Sequence, residues 1–246
     1  MRALFKMRSV LQGNVLDLVF PRSCMQCGGP VEDSPYEYVC GRCTDDLFLV
    51  RPPYCGTCGF PFYGTVESVP SCPHCRELAP CFGSGRTVLL HRGVGRIFVR
   101  ELKYRRALYL LPDLARFCRV SPDLCEFLAG AVLIPIPLHP RKLRERGFNQ
   151  SRSLAECFAG VAGGLEVLDG LIRVKETDSQ TRLDRRDRQS NVKNAFAISA
   201  KAAFNTSQRY ILIDDVFTTG ATLNACSAVL RTAGVLKLDV LTVAHG

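Results

Sequence analysis

Eight of the chain's 13 cysteines fall into four Cys-x-x-Cys pairs, and this spacing constrains the first third of the chain more than any other feature. The pairs are Cys24–Cys27, Cys40–Cys43, Cys55–Cys58 and Cys72–Cys75, in the stretches "CMQCGGP…CGRC" and "CGTCGFP…CPHC". Each half is one pair, a spacer of twelve or thirteen residues and a second pair, so the stretch repeats a four-cysteine zinc pattern. Two thiolates three positions apart in a tight turn grip one side of a tetrahedral ion, and a second such turn supplies the other side. The expectation is two structural Zn²⁺ ions in two sequential ribbons, although spacing alone leaves the pairing of the four units open. Gly28, Gly41, Gly56 and Gly59, beside the ligands, suit turns that need positive φ. His74, inside the last pair, is expected to face solvent rather than bind metal. Cys81, Cys118, Cys125, Cys157 and Cys226 lack such partners and are expected to pack as small apolar residues. So short a module cannot build a sufficient core from side chains, and metal takes its place.

From Gly85 onward the pattern becomes that of an α/β domain. "TVLLHR" reads as a strand, and Val94, Ile97, Phe98 and Leu102 recur at helical spacing, with Pro112 expected to break or kink the helical run that follows. "AVLIPIPLHP" reads as a buried strand entering a proline-rich loop, and "SRSLAECFAGVA" as a helix closed by Gly163–Gly164. In "RYILIDD" the run Ile211, Leu212, Ile213 does not alternate, as in a parallel strand covered on both faces. "ATLNACSAVLRTAG" is a helix stopped at Gly234, and "LDVLTVAH" a last strand. Alternating strands and helices imply a parallel sheet between helical layers, whose ligands bind beyond the carboxyl ends of the strands. The expected division is residues 1–80, an N-terminal helix and double zinc ribbon, and residues 81–246, the α/β domain.

The stretch "ILIDDVFTTGATL" stands at one such strand end. The turn from Thr218 to Thr222 can aim backbone N–H groups inward, and Gly220 and Ala221 carry no bulk to obstruct approach. A helix starting near Thr222 adds its positive end, and the hydroxyls of Thr218, Thr219 and Thr222 add donors. This suits a monophosphate, and no Lys follows the glycine as in a triphosphate loop. Asp214 and Asp215 would repel that phosphate unless they grip hydroxyls beside it or indirectly steady Mg²⁺. A ribose 5-phosphate meets both demands.

Charge supports an anionic ligand. The net charge of +9 is concentrated in three stretches: Arg96–Arg106 and Arg141–Arg152, each with five basic residues against one acid, and Arg173–Lys193, with seven against four. Such clustering marks anion sites more than general solubility. No apolar run is long enough to span a bilayer. The opening "MRALFKMRSVLQGNVLDLVF" is broken by Gln12, Asn14 and Asp17 and reads as an amphipathic helix rather than a leader, so a cytoplasmic location is expected, where disulfides are disfavoured.

"ILIDDVFTTGATL" resembles the PRPP-binding motif of type I phosphoribosyltransferases (PRPP is phosphoribosyl pyrophosphate). Together with the four Cys-x-x-Cys pairs, "ELKYRR", "PIPLHPRKLRERGFNQS" and "RVKETDSQTRLDRRDRQSNVKNAF", it resembles the ComF family, also called GntX-like, nearly end to end. The resemblance implies a double zinc ribbon joined to a type I phosphoribosyltransferase-like domain and a role in natural transformation and the use of external DNA. It implies PRPP with Mg²⁺ as ligand, Asp214 and Asp215 on the ribose hydroxyls, and Thr218, Thr219, Gly220, Ala221 and Thr222 on the 5-phosphate. Arg141, Arg144 and Arg146 become candidates for pyrophosphate. The Arg173–Lys193 stretch becomes a mobile loop in which Lys175, Gln180, Arg182 and Arg188 close over substrate. Lys175 and Arg146 join the two Asp as candidate catalytic residues, with Arg182 also on pyrophosphate. A phosphoribosyltransferase of unknown acceptor is the first reading. The alternative is a non-catalytic factor handling single-stranded DNA or contacting the uptake machinery, with PRPP as regulator or the fold retained without catalysis. For base stacking in that case Phe60, Phe62 and Tyr63 are candidates, though core packing suits them better. The sequence leaves the oligomeric state open.

Overall fold

The computed structural model describes residues 22–63, 72–75, 78–121, 123–176 and 194–246. The expected N-terminal helix lies outside them. The core is a four-stranded parallel sheet of β1 (Gly85–Leu90), β2 (Val132–Pro135), β5 (Arg209–Phe217) and β6 (Lys237–His245), in the order β1-β6-β5-β2. A separate antiparallel pair, β3 (Leu171–Arg173) with β4 (Phe196–Ile198), brackets the basic stretch between them.

Helices cover both sheet faces, as the unbroken apolar run in β5 requires. Ile211 and Ile213 join Phe98, Phe117 and Phe158 under α1 (Gly93–Arg105), α2 (Leu111–Arg119), α3 (Leu124–Leu128) and α5 (Gln150–Val161). Leu212, one residue out of phase, joins Leu223, Leu230 and Val240 under α6 (Ala221–Thr232). Each fully buried Phe or Leu here contributes about 1.5–3 kcal/mol relative to exposure. Pro112 sits in the first turn of α2, where its missing N–H has no helical partner to lose, so it starts a helix instead of kinking one.

Strand β5 runs farther than expected. It pairs with β6 as far as Phe217↔His245, so Asp214 and Asp215 lie inside the strand and not at its last two positions. The other neighbour stops short: β2 pairs only to Pro135↔Ile213, followed by one bond from Ile136 N–H to the Ile213 carbonyl. Pro137 has no N–H with which to continue the ladder. The edge of β5 beyond Ile213 is therefore open toward the segment after β2, and both acids lie along that opening.

The cysteine pairs gather sequentially: Cys24, Cys27, Cys40 and Cys43 in one cluster, and Cys55, Cys58, Cys72 and Cys75 in the other, with ligand atoms within 4.8 Å of one another. The repeat is visible in the backbone. Gly28 N–H donates to Cys24 and Gly59 N–H to Cys55, and Cys24 and Cys55 donate in turn to the carbonyls five residues on. Of the four glycines expected at positive φ, only Gly28 and Gly59 adopt it.

Both ribbons are seated on the α/β layer. Asp113 of α2, fully buried, accepts from the N–H groups of Glu37 and Tyr38 at 2.7 Å and from Arg116 at 2.8 Å. The second ribbon abuts the start of β1, where Gly85 is required: a Cβ there would lie 2.3 Å from the Thr57 carbonyl oxygen. His74 packs 4.2 Å from the Phe60 ring and 4.7 Å from His245, so it does not face solvent as expected. Phe60 and Phe62 pack against the core, as their size favours, while Tyr63 is exposed. Cys118 and Cys226 are buried, Cys81 and Cys157 half-buried, and Cys125 is exposed rather than packed.

Candidate functional site

The open edge of β5 forms one side of a cavity of about 560 Å³. The other sides come from α1, the segment after β2, α4 (Pro140–Arg146), the first turn of α5, Arg173 and the Thr218–Leu223 turn. Six cations line it, Arg96, Arg100, Lys103, Lys142, Arg146 and Arg173, against two carboxylates, Asp214 and Asp215.

Local structure fixes the carboxylates. Gly147, at φ 77°, ends α4, and Asn149 begins α5 by accepting from Ser151 N–H at 3.1 Å. Asn149 also donates to the Ile136 carbonyl at 3.0 Å, tying the turn to the end of β2. Gln150 and Ser151 thereby face β5 from the first turn of α5. Ser151 Oγ donates to Asp214 Oδ1 at 3.1 Å, and Asp215 N–H reaches the same oxygen at 2.9 Å. Gln150 Nε2 donates to Asp215 Oδ2 at 3.2 Å, while Lys103 Nζ stands 2.9 Å from Asp215 Oδ1. Arg146 closes the chain by donating to Gln150 Oε1.

Burial, and then the neighbouring Asp215 carboxylate, push Asp214 up to about 7. Burial works against a charged Lys103, but Asp215 overrides it and the ammonium's pKa is raised. His91, also on the lining, is pushed down by burial and by Lys103 and Arg96.

Helix α6 starts at Ala221, where the stretch "ATLNACSAVLRTAG" begins, with Gly220 in the left-handed region at φ 72°. Thr218, Gly220, Ala221 and Thr222 line the cavity. Thr219 is buried behind them, its Oγ1 accepting from Ala221 N–H at 3.4 Å. The turn is thus small-walled and opens on the positive end of a twelve-residue helix.

The cavity gathers Asp214, Asp215, Arg146 and four of the five turn residues. Arg141 and Arg144 point elsewhere: both are exposed, and Arg141 pairs with Glu145 and Glu176. The cavity-facing positions of α4 are instead Lys142 and Arg146, four apart on one helix face. Lys175 is exposed and absent from the lining. Gln180, Arg182 and Arg188 lie outside the described residues. Sequence reasoning marked Arg96–Arg106 as a basic stretch but gave no residue of α1 a place at the cavity. Arg96, Val99, Arg100, Lys103 and Tyr104 all reach the cavity, at the i, i+3, i+4, i+7, i+8 spacing of a single helix stripe. The signal was present, since three of those are cations of the Arg96–Arg106 basic stretch, on the face opposite the core positions Val94, Phe98 and Leu102.

The cysteine clusters fit zinc. Sulfurs from different Cys-x-x-Cys pairs of one cluster stand 3.7–3.9 Å apart. A tetrahedron with Zn–S bonds of about 2.3 Å has edges of about 3.8 Å, whereas a disulfide needs about 2.05 Å. Burial and neighbouring thiols push Cys43 far up, and the Cys75 thiol and burial do the same for Cys58, so a cation beside them would be what makes them thiolates.

Residues 15–78 match the double zinc ribbon domain family. Over 226 residues, 90% of this chain and 96% of the relative, the chain is 27% identical to "Competence protein F" of Haemophilus influenzae. It is 28% identical over 227 residues, 91% of this chain and 96% of the relative, to "DNA utilization protein YhgH" of Salmonella typhimurium. It is 34% identical over 160 residues, 65% of this chain and 67% of the relative, to "Competence protein ComFC" of Streptococcus pneumoniae. Among the described residues no helix is long and apolar enough to cross a membrane. Two sequential four-cysteine clusters, a parallel α/β sheet and relatives aligned across nearly the whole chain place this protein in the ComF family.

Proposed function

We propose that the cavity binds PRPP and that the protein is a phosphoribosyltransferase acting in the uptake and use of external DNA. The observation that carries this reading is one cavity in which two adjacent carboxylates share space with a small-walled turn at a helix N-terminus. The turn takes the 5-phosphate through backbone N–H groups and the hydroxyls of Thr218 and Thr222. Asp214 and Asp215 accept from the ribose hydroxyls, Ser151 and Gln150 holding them in place. Lys142 and Arg146 face the pyrophosphate. Mg²⁺ bound with the ligand would supply a Lewis acid at the leaving group, with Asp214 and Asp215 as the carboxylates that could steady it indirectly.

With both ends of the sugar fixed, the bond from the anomeric carbon to pyrophosphate breaks with its electron pair on the leaving oxygen. A nitrogen lone pair of the acceptor forms the new bond, and that nitrogen then loses its proton. The protein's part is electrostatic: cations at the leaving group and carboxylates beside the cationic ring, both positioned beforehand.

A second reading keeps the PRPP site but not the transfer. The names of the relatives speak of competence and DNA utilization, which also suits a protein that handles DNA, with PRPP as its regulator. Pyrophosphate release in the presence of PRPP, Mg²⁺ and a panel of bases and amines separates the two. Acceptor-dependent release supports transfer. Saturable PRPP binding with no release supports regulation. Absence of binding removes both.

A further inference from the structure

Lys103 forms an ion pair with one of the paired carboxylates, yet it comes from α1, more than a hundred residues before them. Its ammonium lies 2.9 Å from Asp215 Oδ1, and its side chain keeps 26% of its surface exposed beside the cavity. We propose that Lys103 is a pyrophosphate-binding residue that trades Asp215 for the leaving group as the ribose hydroxyls engage the carboxylates. The inference rests on the sugar-phosphate reading of the cavity and extends it to a residue outside the motif stretches.

Three features support the exchange. First, Asp215 has a second holder. Gln150 Nε2 donates to its other oxygen at 3.2 Å, so departure of the ammonium leaves the carboxylate hydrogen-bonded and in position. Second, Lys103 is linked to Arg146, one of the two α4 cations read as facing the pyrophosphate. Arg146 reaches Gln150, Gln150 reaches Asp215 and Asp215 reaches Lys103, so a single amide and a single carboxylate separate the two cations. The C-terminal end of α1 also leans on the turn after α4, where the Arg106 guanidinium lies 5.6 Å from the centre of the Phe148 ring. Third, the residue type suits a moving partner. An ammonium on a four-carbon stem is a compact charge with three donors and no fixed plane, whereas a guanidinium forked onto Asp215 would be held in one geometry. Lys103 also stays charged at neutral pH, because Asp215 more than offsets the effect of burial.

Ribose 5-phosphate has the phosphate and the hydroxyls but no pyrophosphate, so the two ligands must respond differently to loss of Lys103. Calorimetry on the full chain compares Mg²⁺–PRPP with ribose 5-phosphate for wild type, Lys103→Met and Lys103→Arg. The expected result for Lys103→Met is PRPP binding weaker by about tenfold or more, the scale of one hydrogen bond to a charged group. Ribose 5-phosphate binding is retained or tightened, because a competitor for Asp215 is gone, and its retention also reports that the variant is folded. Lys103→Arg keeps the charge but loses part of the PRPP affinity, because a guanidinium forked onto Asp215 leaves it less readily. Equal loss for both ligands would mean that Lys103 only holds Asp215 in shape, and no change for either would mean that it meets neither; both outcomes overturn the exchange and leave the PRPP site standing. Failure of the wild type to bind either ligand overturns the sugar-phosphate reading itself, and the exchange with it.

Discussion

Leu78 stands so close to Gly220 that a Cβ built on the glycine would lie 2.8 Å from Leu78 Cδ2. Leu78 follows the fourth cysteine of the second cluster by three residues, and its N–H donates to the Cys75 carbonyl at 3.0 Å. Gly220 begins the helix at the candidate phosphate turn. The zinc module therefore forms the back of the turn. Asn224 strengthens the joint, accepting from Cys81 N–H at 2.7 Å and donating to the Ala79 carbonyl at 3.0 Å.

Gly220→Ala tests this packing. The alanine would have to hold φ near 72°, and its Cβ would also meet the Phe217 ring at 2.6 Å. Left-handed backbone and overpacking together are expected to cost about 2–4 kcal/mol. Urea unfolding should show the midpoint falling accordingly. A midpoint unchanged from wild type would mean that the turn has room the structure does not give it.

Metal removal should act on the cavity unequally. Cys58→Ser in the second cluster is expected to weaken ribose 5-phosphate binding more than Cys27→Ser in the first, because only the second ribbon backs the turn. Calorimetry with metal content measured in parallel checks this. Equal effects would place the coupling in general stability instead of the Leu78–Gly220 joint.

Asp113 is expected to be a seat for the first ribbon. Asp113→Ala leaves two backbone N–H groups without their acceptor and Arg116 with Glu37 alone, a loss of about 2–4 kcal/mol for two buried donors left unsatisfied. Denaturant titration reads the loss. A variant as stable as wild type would show that water replaces the carboxylate without penalty.

These joints mark what the sequence could and could not display. The zinc ligands were legible because metal geometry dictates cysteine spacing, and the acid pair because a covered strand rarely tolerates two charges without a task. The sheet and its helices followed from periodicity. The extension of β5 to Phe217 was hidden, because it depends on β6 continuing beside it while β2 stops, and "DDVF" has no local sign of that asymmetry. Lys103 was hidden for a related reason. It was visible as part of a basic stretch, but its contact with Asp215 is made only when α1 packs over the sheet. Arg141 and Lys142 could not be told apart until helix α4 fixed which side faces the cavity.

Asp214 should make ligand binding pH-dependent. Its carboxyl is held up to about 7 by burial and by Asp215, so the folded protein keeps this proton where an unfolded chain would have released it. A raised carboxyl favours the folded state at low pH, and that contribution declines as pH rises from about 4 toward 7. Asp214→Asn should gain stability relative to wild type across this interval. Ligand hydroxyls need the ionised form as acceptor, so ribose 5-phosphate affinity should rise as pH passes through about 7, and the part due to Asp214 should vanish in Asp214→Asn. A wild-type and variant pair with parallel profiles would remove Asp214 from the hydroxyl contact.

The central claim is that Asp214 and Asp215 form the ribose-holding half of a PRPP site. Calorimetry of Mg²⁺–PRPP with the intact, zinc-loaded chain and with Asp214→Asn/Asp215→Asn tests it most directly. The account predicts one saturable site per chain in the wild type and no measurable binding in the double variant, with the folded state of the variant confirmed by its unfolding transition. Undiminished binding in a folded double variant would contradict it.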